Sequence, residues 1–156
     1  MKFFGKLIDW LAGMPLFALL AMFNVAVVMR YWINQPLQWT EEIAGLLMIW
    51  IVMLGAISAE RTNQHLAIPM LVDLLPRKAR AILNGAVSIL TSFFLLYVAY
   101  AGYKLAIAAK FKVTSILRIS WYWIDIAVPI GFTVIALYMF ASAWKDIRAA
   151  FWGDAK

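Results

Sequence analysis

The side chains most able to form a site in this sequence are Arg30 and the adjacent pair Glu41 and Glu42. An arginine and a carboxylate held beside apolar helices can form an ion pair that is screened less than a surface pair, or can contact a protein partner. The alternative is two independent anchors at a membrane edge. In that case Thr40 caps a helix whose first turn carries both glutamates.

Two further ionisable residues are His65, in the polar loop after the second apolar segment, and Asp125, near the start of the fourth. His65 could be a pH-sensitive or hydrogen-bonding group, and the alternative is an ordinary solvated loop histidine. Asp125 could contact a partner or could simply favour a helix start.

The composition excludes several kinds of chemistry. There are no cysteines, and a single histidine cannot provide a bis-histidine haem site. No Asp, Glu, Lys, Arg or His lies in the middle of a predicted transmembrane helix, which argues against an ion pathway carried by this chain alone. We therefore expect no cofactor and no metal site.

The elements that must position these residues are membrane-spanning helices. The 156-residue chain is 65% hydrophobic, with a mean hydropathy of +0.84, which is more apolar than a soluble domain of this size. We predict an all-α integral membrane protein that forms one membrane domain with four transmembrane helices. These helices cover about residues 10–32, 41–60, 81–109 and 121–144.

A short amphipathic segment, residues 68–76, lies between the second and third predicted helices. Its apolar residues with helical spacing are Ile68, Leu71, Val72 and Leu75. The segment is too short to span a bilayer, so it predicts an interfacial helix.

Small residues in the predicted helices indicate close packing. One stripe of helix 2 includes Gly45 and Gly55 and leaves room for another helix. Its members are Glu41, Gly45, Met48, Val52, Gly55 and Ala59. Trp50 lies too deep for an interfacial belt, so it is expected at a helix seam or facing lipid. Pro129 and Gly131 predict a bend in helix 4.

Positive charge differs between the two sides of the predicted bundle. Nine of the fourteen Lys and Arg residues fall on the side that carries both termini, which predicts cytoplasmic termini. The basic cluster Arg77, Lys78 and Arg80 on that side is expected to bind lipid headgroups. The net charge of +6 is concentrated at helix ends and gives no reason to expect nucleic acid binding.

Several motifs follow one another along nearly the whole chain. They are Arg30, Trp39-Thr40-Glu41-Glu42, Trp50, Gly55, His65-Leu66, Leu75-Pro76, Trp121-Tyr122-Trp123 and Val128-Pro129-Ile130-Gly131. In this order, in a four-span chain of this length, they resemble the small membrane subunit, DctQ type, of tripartite ATP-independent periplasmic (TRAP) transporters.

The resemblance implies a transport role in the bacterial inner membrane. Such a subunit pairs with a large membrane subunit that carries the substrate and sodium sites, and a periplasmic substrate-binding protein delivers an organic acid to the pair. The small subunit does no chemistry and enlarges the fixed scaffold of an elevator-like transporter. The residues expected to serve structure or partner contact are Arg30, Trp39, Glu41, Glu42, Trp50, Gly55, His65, Asp125, Pro129 and Gly131.

The basic stretch opposite the termini contains Lys110, Lys112 and Arg118 and runs against the usual charge bias. Docking of the binding protein would give these cations a use, and contact with lipid headgroups is the alternative. Two other functions stay open, an accessory subunit of another membrane complex and a small dimeric four-helix exporter. The exporter would be expected to have a charged residue in mid-helix.

Overall fold

The computed structural model describes residues 2–61 and 76–152. The helices are α1 (Lys2–Tyr31), α2 (Thr40–Arg61), α3 (Arg77–Ala108), α4 (Tyr122–Asp125) and α5 (Ala127–Trp152). A 3-10 turn, Ala109–Phe111, follows α3 directly. Within the described ranges the only β pairing is an isolated antiparallel bridge between Val113 and Ser120.

Four stretches of these helices are long and apolar enough to cross a membrane, which confirms the predicted all-α membrane architecture. They are Trp10–Tyr31, Thr40–Arg61, Ile82–Phe111 and Tyr122–Lys145. The predicted interfacial helix over 68–76 and the candidate His65 lie outside the described residues, apart from Pro76, which immediately precedes α3.

The predicted fourth helix is interrupted at Ile126, between α4 and α5. Pro129 has no backbone N–H, so the carbonyl of Asp125 cannot receive the usual hydrogen bond from four residues ahead. The Ile130 N–H bonds to the Ile126 carbonyl at 3.3 Å, where the regular pattern resumes. The expected bend near Pro129 therefore takes the form of a short break in the helix.

The bundle is held together mainly by α3 and α5, whose interface is built from small side chains. Five of its alanines are buried: Ala99, Ala106, Ala127, Ala136 and Ala143. The buried Ser92 hydroxyl donates to the Ala136 carbonyl at 2.9 Å, which crosses the same interface. Next to this pair, α2 packs on α5, and α1 packs on α2. Thus α1 is the outermost helix and exposes large apolar side chains, as expected for a lipid-facing element.

Gly131 of α5 lies directly against Met53 of α2. A Cβ built at this position would stand 2.7 Å from the Met53 Sδ and 3.0 Å from the Met53 Cβ. Gly55 differs, because a Cβ built there meets nothing within 4 Å.

Replacing Gly131 with alanine is expected to destabilise the protein by about 1–3 kcal/mol, because Met53 must move to relieve the overlap. The matched variant Gly55→Ala should leave stability unchanged or raise it by up to about 1 kcal/mol, since alanine is the better helix former. Thermal unfolding of both variants in detergent measures the difference. Equal stability of the two variants would contradict the close approach at Gly131.

Candidate functional site

The most specific polar contact between separate parts of the chain is made by Glu42, in the first turn of α2. The backbone N–H groups of Ile116 and Leu117 donate to its two carboxylate oxygens, at 2.8 and 2.9 Å respectively. Hydrogen bonds to an ionised acceptor are stronger than neutral ones. Glu42 therefore attaches the segment that connects α3 with α4 to the start of α2.

This connecting segment is a compact hairpin, which we call the 110–120 hairpin. The Thr114 N–H donates to the Ile119 carbonyl at 2.9 Å, and the Ile119 N–H donates to the Thr114 hydroxyl at 3.1 Å. Thr114 is buried, with 8% of its surface exposed. Arg118 adopts a φ of 52°, in the left-handed region, which lets the chain turn back towards Ser120. The hairpin thus has its own hydrogen bonds in addition to those from Glu42.

Ser120 joins the hairpin to α4. Its hydroxyl donates to the Lys110 carbonyl at 2.7 Å and accepts from the Tyr122 N–H at 3.3 Å. One side chain therefore joins the base of the hairpin to the start of α4.

Trp50 forms a second attachment between α2 and this end of the bundle. Its indole N–H donates to the Trp123 carbonyl at 3.2 Å. Trp50 therefore lies at a helix seam, which was one of its two predicted positions. Together, Glu42 and Trp50 hold the hairpin and α4 against one helix.

The three cations of the hairpin have different surroundings. The Lys112 ammonium lies 4.4 Å from the centroid of the Trp121 ring, a cation–π contact within the chain. Lys110 and Arg118 are exposed. Lys110 and Arg118 are thus accessible to another molecule, whereas the charge of Lys112 is partly stabilised by the Trp121 ring.

Within the residues that the structure describes, Arg30 forms no ion pair with Glu41 or Glu42, although one was expected. Glu42 is engaged by the hairpin amides. Arg30 and Glu41 make no hydrogen bond or ion pair within the described ranges, but both line one cleft of about 610 Å³ between α1 and α2. Thr40 also differs from its expected role, because its hydroxyl donates to the Leu37 carbonyl at 2.7 Å and α2 begins at Thr40 itself.

The small-residue stripe of α2 is open on its outer side. Cβ atoms built at Gly45 and Gly55 meet nothing within 4 Å. Met48 and Val52, between them on the same face, are 62% and 54% exposed. No other described helix of this chain fills the space beside the two glycines, so the face is available to another molecule.

The remaining candidates have mainly local surroundings. The Trp39 carbonyl accepts from the Ile43 N–H at 3.3 Å, where α2 starts. Asp125 ends α4, is partly exposed, and makes no side-chain hydrogen bond within the described parts of the chain. Arg80 is exposed on α3; Arg77 and Lys78 belong to its first turn, and their side chains lie outside the described part. No group of three potential metal ligands occurs among the described residues.

The hairpin attachment was not predicted from the sequence. Its donors are backbone N–H groups, 74 and 75 residues from Glu42 along the chain. Every residue except proline carries such a group, so the sequence does not indicate which of them bind the carboxylate. The available signal was Glu42 itself, a carboxylate at the start of an apolar helix, for which Arg30 and solvent were the partners considered.

Comparison with known proteins gives a consistent set of relatives. Residues 17–149 match the family model described as tripartite ATP-independent periplasmic transporters, DctQ component. The chain is 32% identical over 127 residues to the sialic acid TRAP transporter small permease protein SiaQ of Vibrio cholerae, covering 80% of this chain and 72% of that protein. It is 29% identical over 126 residues to the ectoine TRAP transporter small permease protein TeaB of Halomonas elongata, covering 79% and 65%.

A longer relative is also similar over nearly the whole chain. The sialic acid TRAP transporter permease protein SiaT of Haemophilus influenzae is 30% identical over 143 residues, which is 92% of this chain. The matched region spans only 23% of the length of that relative.

Proposed function

We propose that this chain, which belongs to the DctQ family of tripartite ATP-independent periplasmic transporters, pairs with a large membrane subunit. In that pair it serves as a fixed, non-catalytic scaffold for sodium-coupled uptake of an organic acid delivered by a periplasmic binding protein. The sialic acid named in two relatives supports an organic acid as the substrate class.

The open face of α2 is the observation that carries this proposal. Gly45 and Gly55 have free space beside them, and exposed Met48 and Val52 lie between them. In a membrane, helices associate through close packing at small residues, because lipid tails are as apolar as the side chains. The large membrane subunit is therefore proposed to place a helix along this face.

The length of the Haemophilus relative supports a larger membrane partner. The region similar to this chain makes up 23% of that protein, so a much longer segment is joined to it covalently. A covalent connection is favourable when two parts work side by side, because it raises their effective concentration.

The scaffold role is supported by the contacts that fix one end of the bundle. Glu42 holds the hairpin and Trp50 holds α4, both from α2. We propose that both termini are cytoplasmic, as the excess of Lys and Arg on their side favours, so that this end faces the periplasm. Exposed Lys110 and Arg118 then offer positive charge to an acidic binding protein, which would accelerate association. On the cytoplasmic side, Arg77, Lys78 and Arg80 are proposed to contact anionic headgroups.

Reconstitution of each component tests the proposal. This chain alone in liposomes, with the binding protein outside, is expected to transport nothing, since no Asp, Glu, Lys, Arg or His lies in mid-span. Addition of the large subunit should restore sodium-dependent uptake of an acidic substrate, measured with radiolabel. Uptake by this chain alone, or full uptake by the large subunit without this chain, would contradict the scaffold role.

A further inference from the structure

The cleft between α1 and α2 combines charged and apolar walls. Arg30, Thr40 and Glu41 lie at its upper end, where α1 ends at Tyr31 and α2 begins. This end is at the limit of both membrane spans and hence at the depth of lipid headgroups. The cleft has a volume of about 610 Å³, which is within the range of sites for small organic ligands.

The lower wall of the cleft is an apolar face of α1. Phe23, Ala26 and Val27 line it and stand at i, i+3 and i+4 below Arg30 at i+7. At 1.5 Å per residue the apolar residues cover about 6 Å, and the distance from Phe23 to Arg30 along the helix is roughly 10 Å. An occupant must therefore be polar at one end and apolar at the other, which is the character of a phospholipid.

The charges of the cleft have no partner within the described parts of the chain. The Arg30 guanidinium and the Glu41 carboxylate are both exposed, and neither makes an internal hydrogen bond or ion pair there. A guanidinium matches two phosphate oxygens through paired N–H donors, and a carboxylate accepts from an ammonium group. The cleft thus carries one positive and one negative side chain, which together match a ligand that bears both a phosphate and an ammonium group.

We propose that this cleft binds a zwitterionic phospholipid with a primary ammonium group, namely phosphatidylethanolamine. Arg30 binds the phosphate, Glu41 binds the ammonium, and one acyl chain follows Phe23 and Val27. Phosphatidylcholine has no N–H donor for Glu41, and phosphatidylglycerol has no cation. The cleft therefore ranks the three lipids in the order phosphatidylethanolamine, phosphatidylcholine, phosphatidylglycerol, the reverse of a simple basic site. This inference does not depend on the transport role.

Native mass spectrometry of the full chain, purified in detergent with an equimolar mixture of the three lipids, tests the proposal. The wild-type protein is expected to retain phosphatidylethanolamine most. Arg30→Gln should reduce retention of all three lipids by about tenfold, the order expected for a charge-assisted contact. Glu41→Gln should remove the preference for phosphatidylethanolamine over phosphatidylglycerol and leave total retention high. Arg118→Gln, the same change outside the cleft, should have no effect.

Further measurements distinguish lipid bound in the cleft from lipid loosely associated with the apolar surface of the bundle. Both exposed side chains should be replaceable without a change in thermal unfolding, and Val27→Trp, which fills the apolar wall, should reduce retention independently. Soluble glycerophosphoethanolamine and inorganic phosphate should fail to displace the lipid. Retention of phosphatidylglycerol equal to that of phosphatidylethanolamine would overturn the proposal. So would a photo-crosslinker at position 27 that captures the large membrane subunit in place of lipid.

Discussion

Replacing Glu42 with glutamine is expected to release the 110–120 hairpin from α2. The carboxylate accepts from the Ile116 and Leu117 amides with separate oxygens, whereas an amide side chain offers one acceptor oxygen and turns an NH2 donor towards the other N–H. The charge that strengthens both bonds is lost as well. Hydrogen–deuterium exchange of a peptide covering residues 113–119 should become several-fold faster than in the wild-type protein.

Glu41→Gln is the matched control for this experiment. It makes the same chemical change one residue away, at a carboxylate that makes no hydrogen bond within the described ranges. Its hairpin should exchange at the wild-type rate. In the assembled transporter, Glu42→Gln should also raise the binding-protein concentration needed for half-maximal uptake, because Lys110 and Arg118 lose their fixed positions. Unchanged exchange in Glu42→Gln would show that the hairpin's own hydrogen bonds suffice.

Placing tryptophan at Gly55 is expected to abolish pairing with the large membrane subunit. The isolated chain should still fold, because a side chain at this position enters open space. In the complex, the new ring would occupy the volume that the proposed partner helix needs, and overpacking at a close helix contact is strongly unfavourable. Copurification of a tagged large subunit with this chain measures the effect.

Leu90→Trp provides the control for general effects of a bulky substitution. Leu90 is on α3 and is 73% exposed, so it represents an apolar position away from α2. This variant should copurify with the large subunit at the wild-type level. If Gly55→Trp also pairs normally, the partner does not use this face of α2, and the proposed scaffold interface must lie elsewhere.

The spans were predictable from the sequence because the bilayer imposes a long apolar run on each helix. Helix ends were less predictable. The third helix was predicted to begin at about residue 81, but α3 begins at Arg77 and includes the basic residues Arg77, Lys78 and Arg80. A helix can extend beyond the bilayer, and its polar end then has no apolar run by which the sequence could indicate it. The division at Ile126 followed from Pro129, whose effect was anticipated as a bend.

The candidate site was predicted only in part. Glu42 was singled out as a carboxylate at the start of an apolar helix, and Trp50 as an indole too deep for an interfacial belt. Their partners, the amides of the hairpin and the Trp123 carbonyl, are backbone groups that depend on how distant segments fold. The ion pair expected between Arg30 and either Glu41 or Glu42 is not formed within the described ranges for this reason. Proximity along the chain favoured Arg30, and the folded hairpin supplied two aligned donors instead.

The separation between Glu42 and its donors has a consequence for biosynthesis. Translation at about 5–20 residues per second takes roughly 4–15 s to cover the 74 residues from Glu42 to Ile116. The rest of α2 and all of α3 are synthesised within that interval, and Glu42 is without its amide donors throughout it. Glu42 acquires its amide donors only after α3 has been synthesised, so attachment of the hairpin is a late step of membrane assembly. A ribosome stalled before residue 116 would carry a first helical pair that still lacks this closing contact.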